Sequence, residues 1–335
     1  MAQRRRSEPM PVKYWSFAGL MITTWCNAEC ASCYLNCSPR RRGEDMSVER
    51  ALSLWAGLIA ACPHGCRIHL SGGEPFGDWP KLIEMCRRAK AEGLGPLEKV
   101  ETNAFWATDA AVVRDRVSAL DAAGMRKLSI SADPYHQQFV PIERCRLAAA
   151  VAEEVLGPER VQVRWRDWLA DGFDTGGLAD ARRAEVFSQY AAGGRDRLCG
   201  RAADVLTAAN VQKSWREVAD VNCRQVVLRS RHVHVDPSGW VMPGTCAGIV
   251  LGRARTGDQI AEIWRRLADD YDARPVVGTL ARHGPAALAE RALAAGFAPR
   301  AGYASKCQLC WDVRRHLAGL AMYDDELGPA WIYGL

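Results

Sequence analysis

The segment Cys26-Asn27-Ala28-Glu29-Cys30-Ala31-Ser32-Cys33 constrains this chain most: three thiols at offsets of four and three follow directly on the apolar run 19–24. Soft thiolate ligands favour iron–sulfur assembly, and three thiols in one short loop hold three corners of a four-iron cluster. The fourth iron is then open for chemistry. A structural zinc knot is the competing reading, and it normally takes four ligands at paired spacings.

Forty-odd positions on, the short strand 67–70 ends in Ser71-Gly72-Gly73-Glu74-Pro75. Paired glycines let a backbone approach a ligand closely, and the carboxylate that follows accepts from an ammonium. Two further strand ends carry polar residues, Thr102-Asn103 and Ser131-Ala132-Asp133. Each is also what a strand-terminal turn or helix cap uses.

Together these motifs resemble the radical S-adenosylmethionine (SAM) superfamily, whose signature is C-x3-C-x2-C after the first barrel strand. The resemblance implies a [4Fe-4S] cluster on Cys26, Cys30 and Cys33 that binds SAM and splits it to a 5′-deoxyadenosyl radical. It implies SAM contacts at Gly72, Gly73, Glu74, Asn103, Ser131 and Asp133, with Glu74 holding the methionine amino group. Many members carry an aromatic residue just before the third cysteine. This chain has Ser32 there and Tyr34 just after, so Tyr34 is the candidate adenine contact. Cys37 is set aside, because a fully ligated cluster would leave no iron for SAM.

Short apolar runs alternate with amphipathic segments, as in a parallel sheet with crossover helices. Strands are expected near 18–24, 66–70, 99–102, 127–131 and 160–165, with a sixth at 204–208. Helices are expected near 47–61, 80–92, 108–122 and 141–156, with Ser47 and Thr108 as N-caps and Gly93, Gly124 and Gly157 as stops. The motifs then fall at the carboxyl ends of the strands, where parallel barrels do chemistry.

The last third holds Cys223, Cys246 and the close pair Cys307-Gln308-Leu309-Cys310. Between the first two, 232–244 reads as a hairpin with a Pro-Ser-Gly turn. Spacing alone leaves zinc and iron–sulfur open for this quartet. It resembles the twitch domain, the shorter relative of the SPASM extension, which implies an auxiliary [4Fe-4S] cluster with four protein ligands. SPASM itself would need more cysteines after Cys310, and there are none.

Of the 13 cysteines, Cys62, Cys66, Cys86 and Cys145 read as buried small hydrophobes. Cys199 is open between a structural thiol, a spare auxiliary ligand and a hydrogen-atom donor to a substrate radical. Arg164 and Arg166 close the fifth strand, and alternation puts both on one face, so either could pair with the SAM carboxylate. Trp165 and Trp168 read as core, and His232 and His234, on one face of the hairpin, as locally hydrogen-bonded.

The expected architecture is therefore α/β: a partial (β/α)6 TIM-type barrel over 15–215 after a tail at 1–14, then a small α+β twitch-like domain with a β-hairpin over 216–335. The 335 residues are enough for both, and 48% hydrophobic with 25% charged is a globular balance. No apolar run approaches the roughly twenty residues of a membrane span, and no signal-like core follows the basic 1–6, so the expected location is cytoplasmic. A net charge of +5 spread along the chain does not indicate a nucleic-acid surface. The resemblance implies hydrogen abstraction from a substrate carbon, leading to oxidation or bond formation on a small molecule such as a sugar or natural-product intermediate. Its alternative is radical modification of a ribosomally made peptide or a protein side chain, as a cross-link or epimerisation. It further implies an electron donor such as flavodoxin or ferredoxin. A non-catalytic iron–sulfur or zinc protein is the reading of a different class.

Overall fold

The computed structural model describes residues 12–335 except 43–44, 209 and 220; the basic segment 1–6 lies outside the described residues. The first strand, β1 (Phe17–Thr23), is buried along almost its whole length, so both of its faces are covered. Ala18, Leu20 and Ile22 point to the helical layer and meet Leu54, Trp55 and Leu58 of α1 (Val48–Ala60) in the main core. Burying such a side chain stabilises by about 1.5–3 kcal/mol. Met21, on the opposite face, belongs to a second apolar cluster with Met242, Trp311 and Ile332.

Strand and helix then alternate: β2 (Arg67–Gly72), α2 (Trp79–Ala91), β3 (Leu97–Thr102), α3 (Ala110–Ala122), β4 (Lys127–Ile130), α4 (Ile142–Leu156) and β5 (Val161–Val163). Ser47 caps α1 by accepting from the Arg50 N–H. The cap of α3 is Asp109, whose carboxylate accepts from the Val112 N–H at 2.9 Å, and not Thr108 as expected. Two short helices follow β5, α5 (Arg166–Asp171) and α6 (Asp180–Ala192), then α7 (Ala202–Val205).

The sixth strand lies elsewhere than expected. Positions 204–208 carry the end of α7 and a turn, and the sixth parallel strand is β6 (His232–Val235), the first arm of the hairpin. It pairs with β1, Gly19 opposite His234, while its other edge pairs with the second arm, β7 (Trp240–Pro243), and then β8 (Gly252–Arg253). The order β5-β4-β3-β2-β1-β6-β7-β8 is a six-stranded parallel half-barrel continued by an antiparallel hairpin. The helix Lys306–Gly319 and the terminal turn Ala330–Tyr333 pack over the inner cluster. No helix among the described residues is long and apolar enough to cross a membrane.

Candidate functional site

At the carboxyl ends of the parallel strands a cavity of about 350 Å³ is lined by Cys26, Cys30 and Cys33 together with Gly72, Gly73 and Glu74. The cysteines occupy the loop after β1, and Arg201 holds that loop shut. Its guanidinium donates to the carbonyls of Cys30 (2.9 Å) and Cys37, and its own N–H donates to the carbonyl of Cys33. The turn before it, Gly200 with φ +62°, lies so close that a Cβ would come within 2.4 Å of the Cys33 carbonyl oxygen. With three carbonyls fixed by one arginine, the three thiols line the cavity.

The paired glycines are explained by the same crowding. A Cβ on Gly73 would sit 1.8 Å from the Trp25 carbonyl oxygen, and one on Gly72 would sit 2.4 Å from that of Thr23. The end of β2 thus abuts the start of the cysteine loop, with Gly73 and Glu74 donating to those carbonyls at 2.8 Å. The Glu74 carboxylate is buried and accepts from the Phe76 N–H (3.1 Å), the Thr102 hydroxyl (2.8 Å) and the Asn103 N–H (2.7 Å). Burial pushes it up to about 7 despite those donors. A cationic ligand group beside it would reverse that shift.

Asn103 turns into the cysteine loop, donating to Asn27 Oδ1 at 2.8 Å and reaching Cys26 Sγ at 3.7 Å. Ser131 lines the cavity. Asp133 does not: it is fully buried behind the wall, where it accepts from the N–H groups of Tyr135 and His136. Its other oxygen lies 2.7 Å from His136 Nδ1 and 3.3 Å from Arg164 Nε, so it positions two cationic groups that do line the cavity. His136 was not singled out from the sequence; the polar, aromatic loop after β4 was its signal. Burial disfavours its charged form, but the Asp133 carboxylate and the Cys30 thiol more than offset this and raise it well above the ordinary value.

The two arginines separate cleanly. Arg164 faces the cavity, paired also with Asp196, whereas Arg166 opens α5 and turns outward to Glu153 at 2.8 Å. Strand alternation does not reach Arg166 because the strand ends at Val163. Trp165 stacks on Tyr190 and Trp168 donates to Gln137, both in the core. Tyr34 lines the cavity, and a hydrogen bond with Cys37 draws the Cys33 thiol below its ordinary value.

The second cysteine set converges on a small apolar cavity of about 40 Å³, lined by Cys223, Cys246, Cys307 and Cys310 and also by Cys199 and Arg314. Cys307 and Cys310 lie among the first five residues of the helix Lys306–Gly319, Cys223 precedes the turn Arg224–Val227, and Cys246 follows β7. Burial raises Cys223 to about 12 and Cys246 to about 11. Burial outweighs the nearby cationic side chains and favours the protonated thiols, and a bound metal would displace those protons. The Arg314 guanidinium, buried and bonded to the Ala247 carbonyl and the Tyr333 hydroxyl, shares that cavity with Arg197 and Lys306.

A third cavity, about 300 Å³, lies between these sites: it shares Tyr34, Glu101 and Arg164 with the first and Arg197, Cys199 and Thr245 with the second. Its remaining wall carries Lys99, Asp196 and the imidazoles of His69, His232 and His234. Burial and the neighbouring His69 lower His232 to about 3.

No protein-family model and no curated protein matches the chain. Among solved structures it is similar to BtrN in complex with AdoMet and 2-DOIA, with a TM-score of 0.47 and 16% identity over 82% of this chain and 90% of that one. It is also similar to native anSMEcpe with bound AdoMet (0.43; 12% identity; 91% and 97% covered). A third is Streptococcus suis SuiB bound to S-adenosylmethionine (0.41; 11% identity; 80% and 68% covered).

Arg201 and the His69 contribution to the middle cavity have no short motif to announce them. Arg201 lies 171 residues from the carbonyl it holds at Cys30.

Proposed function

We propose that this chain is a radical SAM enzyme of oxidoreductase type acting on a small polar molecule held between two iron–sulfur sites. The observation that carries the reading is the middle cavity, which shares Tyr34, Glu101 and Arg164 with the cavity of Cys26/Cys30/Cys33 and Arg197, Cys199 and Thr245 with that of Cys223/Cys246/Cys307/Cys310.

Cys26, Cys30 and Cys33 would hold one cluster, and the four later cysteines another. Bound there, the first cluster supplies the electron that splits SAM, and the second offers a place for an electron to go. This chain's residues do the rest. Glu74 would accept from the SAM ammonium, Arg164 would pair with its carboxylate, and Tyr34 would flank the adenosyl end. Asn103 and Arg201 fix the cysteine loop, and Asp133 fixes Arg164 and His136.

A volume of about 300 Å³ lined by Lys99, Glu101, Arg164, Asp196 and Arg197 suits a small molecule with several polar groups. It lies at the lower end of the range for small-molecule sites. The second cysteine site favours net oxidation of that molecule over return of the hydrogen. Flavodoxin or ferredoxin would be the physiological reductant.

The test is 5′-deoxyadenosine formation from SAM and dithionite, anaerobically, by reconstituted protein and its Cys26→Ala/Cys30→Ala/Cys33→Ala variant. Formation by the parent and its loss in the variant are expected. Zinc in place of iron with no deoxyadenosine from the parent would leave the metal-binding, non-catalytic reading.

A further inference from the structure

Three imidazoles meet at the floor of the middle cavity. His69 comes from β2, and His232 and His234 come from β6 two residues apart, so all three project from the strands flanking β1. One nitrogen from each lies within 4.8 Å of the others, and His69 Nε2 is 3.0 Å from His232 Nε2. Three nitrogens at about 2.0 Å from one tetrahedral ion lie about 3.3 Å apart, inside that spread.

Two glycines make the convergence sterically feasible. Gly19 sits in register with both His69 and His234, and a Cβ there would come 2.5 Å from His69 Nε2 and 2.2 Å from His234 Cδ2. A Cβ on Gly244 would come 2.3 Å from His232 Nδ1. Phe17 stacks on His69 (centroids 4.8 Å apart) and lies against His232 (4.6 Å), which fixes two ring planes.

Behind the trio stands a carboxylate. His69 Nδ1 is buried without a hydrogen-bonded partner and faces Glu101 Oε1 at 3.4 Å, and Lys99 holds that same oxygen at 2.6 Å. A carboxylate behind a ligating imidazole sets its tautomer and raises its basicity. Three imidazoles with no thiolate suit a divalent ion of borderline softness and do not suit calcium or magnesium.

We propose that His69, His232 and His234 bind one zinc ion, with its open coordination position facing the middle cavity. Three protein ligands and one free position are what zinc needs to take an exogenous ligand. The free position would hold a hydroxyl or amine of the substrate, which deepens the functional reading above and rests on it: the substrate is a molecule with a metal-binding oxygen or nitrogen near the carbon attacked. The metal site itself stands independently of that chemistry.

The test uses iron–sulfur-reconstituted protein titrated with zinc chloride, desalted, and analysed for metal content and by X-ray absorption at the zinc edge. One zinc per chain is expected in addition to the iron, with a nitrogen/oxygen shell at about 2.0–2.1 Å. His232→Ala and His234→Ala should each weaken retention at least tenfold with the iron content unchanged, and Cys307→Ala/Cys310→Ala should leave the zinc in place. Three results would each overturn the proposal: no stoichiometric zinc in the parent protein, a sulfur shell at about 2.3 Å, or zinc indifferent to both histidine variants. The parent titration and its spectrum need no variant, so a misfolded variant cannot decide the matter. Zinc with no deoxyadenosine keeps this site and removes the radical reading; deoxyadenosine with no zinc does the reverse.

Discussion

The two cysteine sites are built in opposite ways. The first draws three thiols from eight consecutive residues, 26–33, in a loop clamped by Arg201 and Asn103. The second collects Cys223, Cys246 and the 307/310 pair across chain gaps of 23 and 61 residues. Closing long loops costs entropy that a bound metal can offset, whereas a loop already held by hydrogen bonds gains little. The first site is thus shaped by the fold, while a metal bound at the second would help to hold the fold together.

Experiments on both regions sharpen that contrast, beginning with the largest effect. Replacing Cys307 and Cys310 by Ala should lower the Tm of reconstituted protein by roughly 4 °C, from a closure contribution on the order of 3 kcal/mol. The 26/30/33 triple variant should shift it by less than half as much; equal shifts would erase the distinction. Arg201→Ala removes the guanidinium from the Cys30 and Cys37 carbonyls, and deoxyadenosine formation should fall about 10–100-fold, the usual cost of losing a group that orients metal ligands. An unchanged rate would show that the loop needs no clamp.

Glu74 gives the pH dependence. Burial raises it from 4.5 to about 7, so the proton it keeps in the folded protein stabilises fully below pH 4.5, an effect lost as pH rises through about 7. Only the ionised form pairs with the SAM ammonium. SAM affinity, measured by equilibrium dialysis, should therefore strengthen by up to about tenfold between pH 6 and 8. A flat profile would remove Glu74 from that role. Arg166→Ala, which breaks an exposed pair with Glu153, should cost under about 1 kcal/mol and leave deoxyadenosine formation unchanged. Arg164→Ala should weaken SAM binding.

The same contrast explains what could be read from the sequence. β1 to β5, the first four helices and both arms of the hairpin were legible because their apolar periodicity and their Ser47, Gly93, Gly124 and Gly157 punctuation are local. The sixth parallel strand was misplaced because an apolar run as short as 204–208 fits a buried helical turn as well as a strand. Nothing local announces that β6 pairs with β1. The first site was legible as a contiguous motif. Arg201 and the meeting of His69 with His232 and His234 were not, since they depend on strand order and on two glycines that clear space between distant segments.

The most direct measurement of the central claim counts iron and sulfide in three reconstituted proteins: the parent, the Cys26/Cys30/Cys33 triple alanine variant and the Cys223/Cys246/Cys307/Cys310 quadruple alanine variant. Two independent four-iron centres predict about eight irons in the parent and about four in each variant. About four irons in the parent, lost only with the first cysteine set, would contradict the account and leave the second set as a site of another kind.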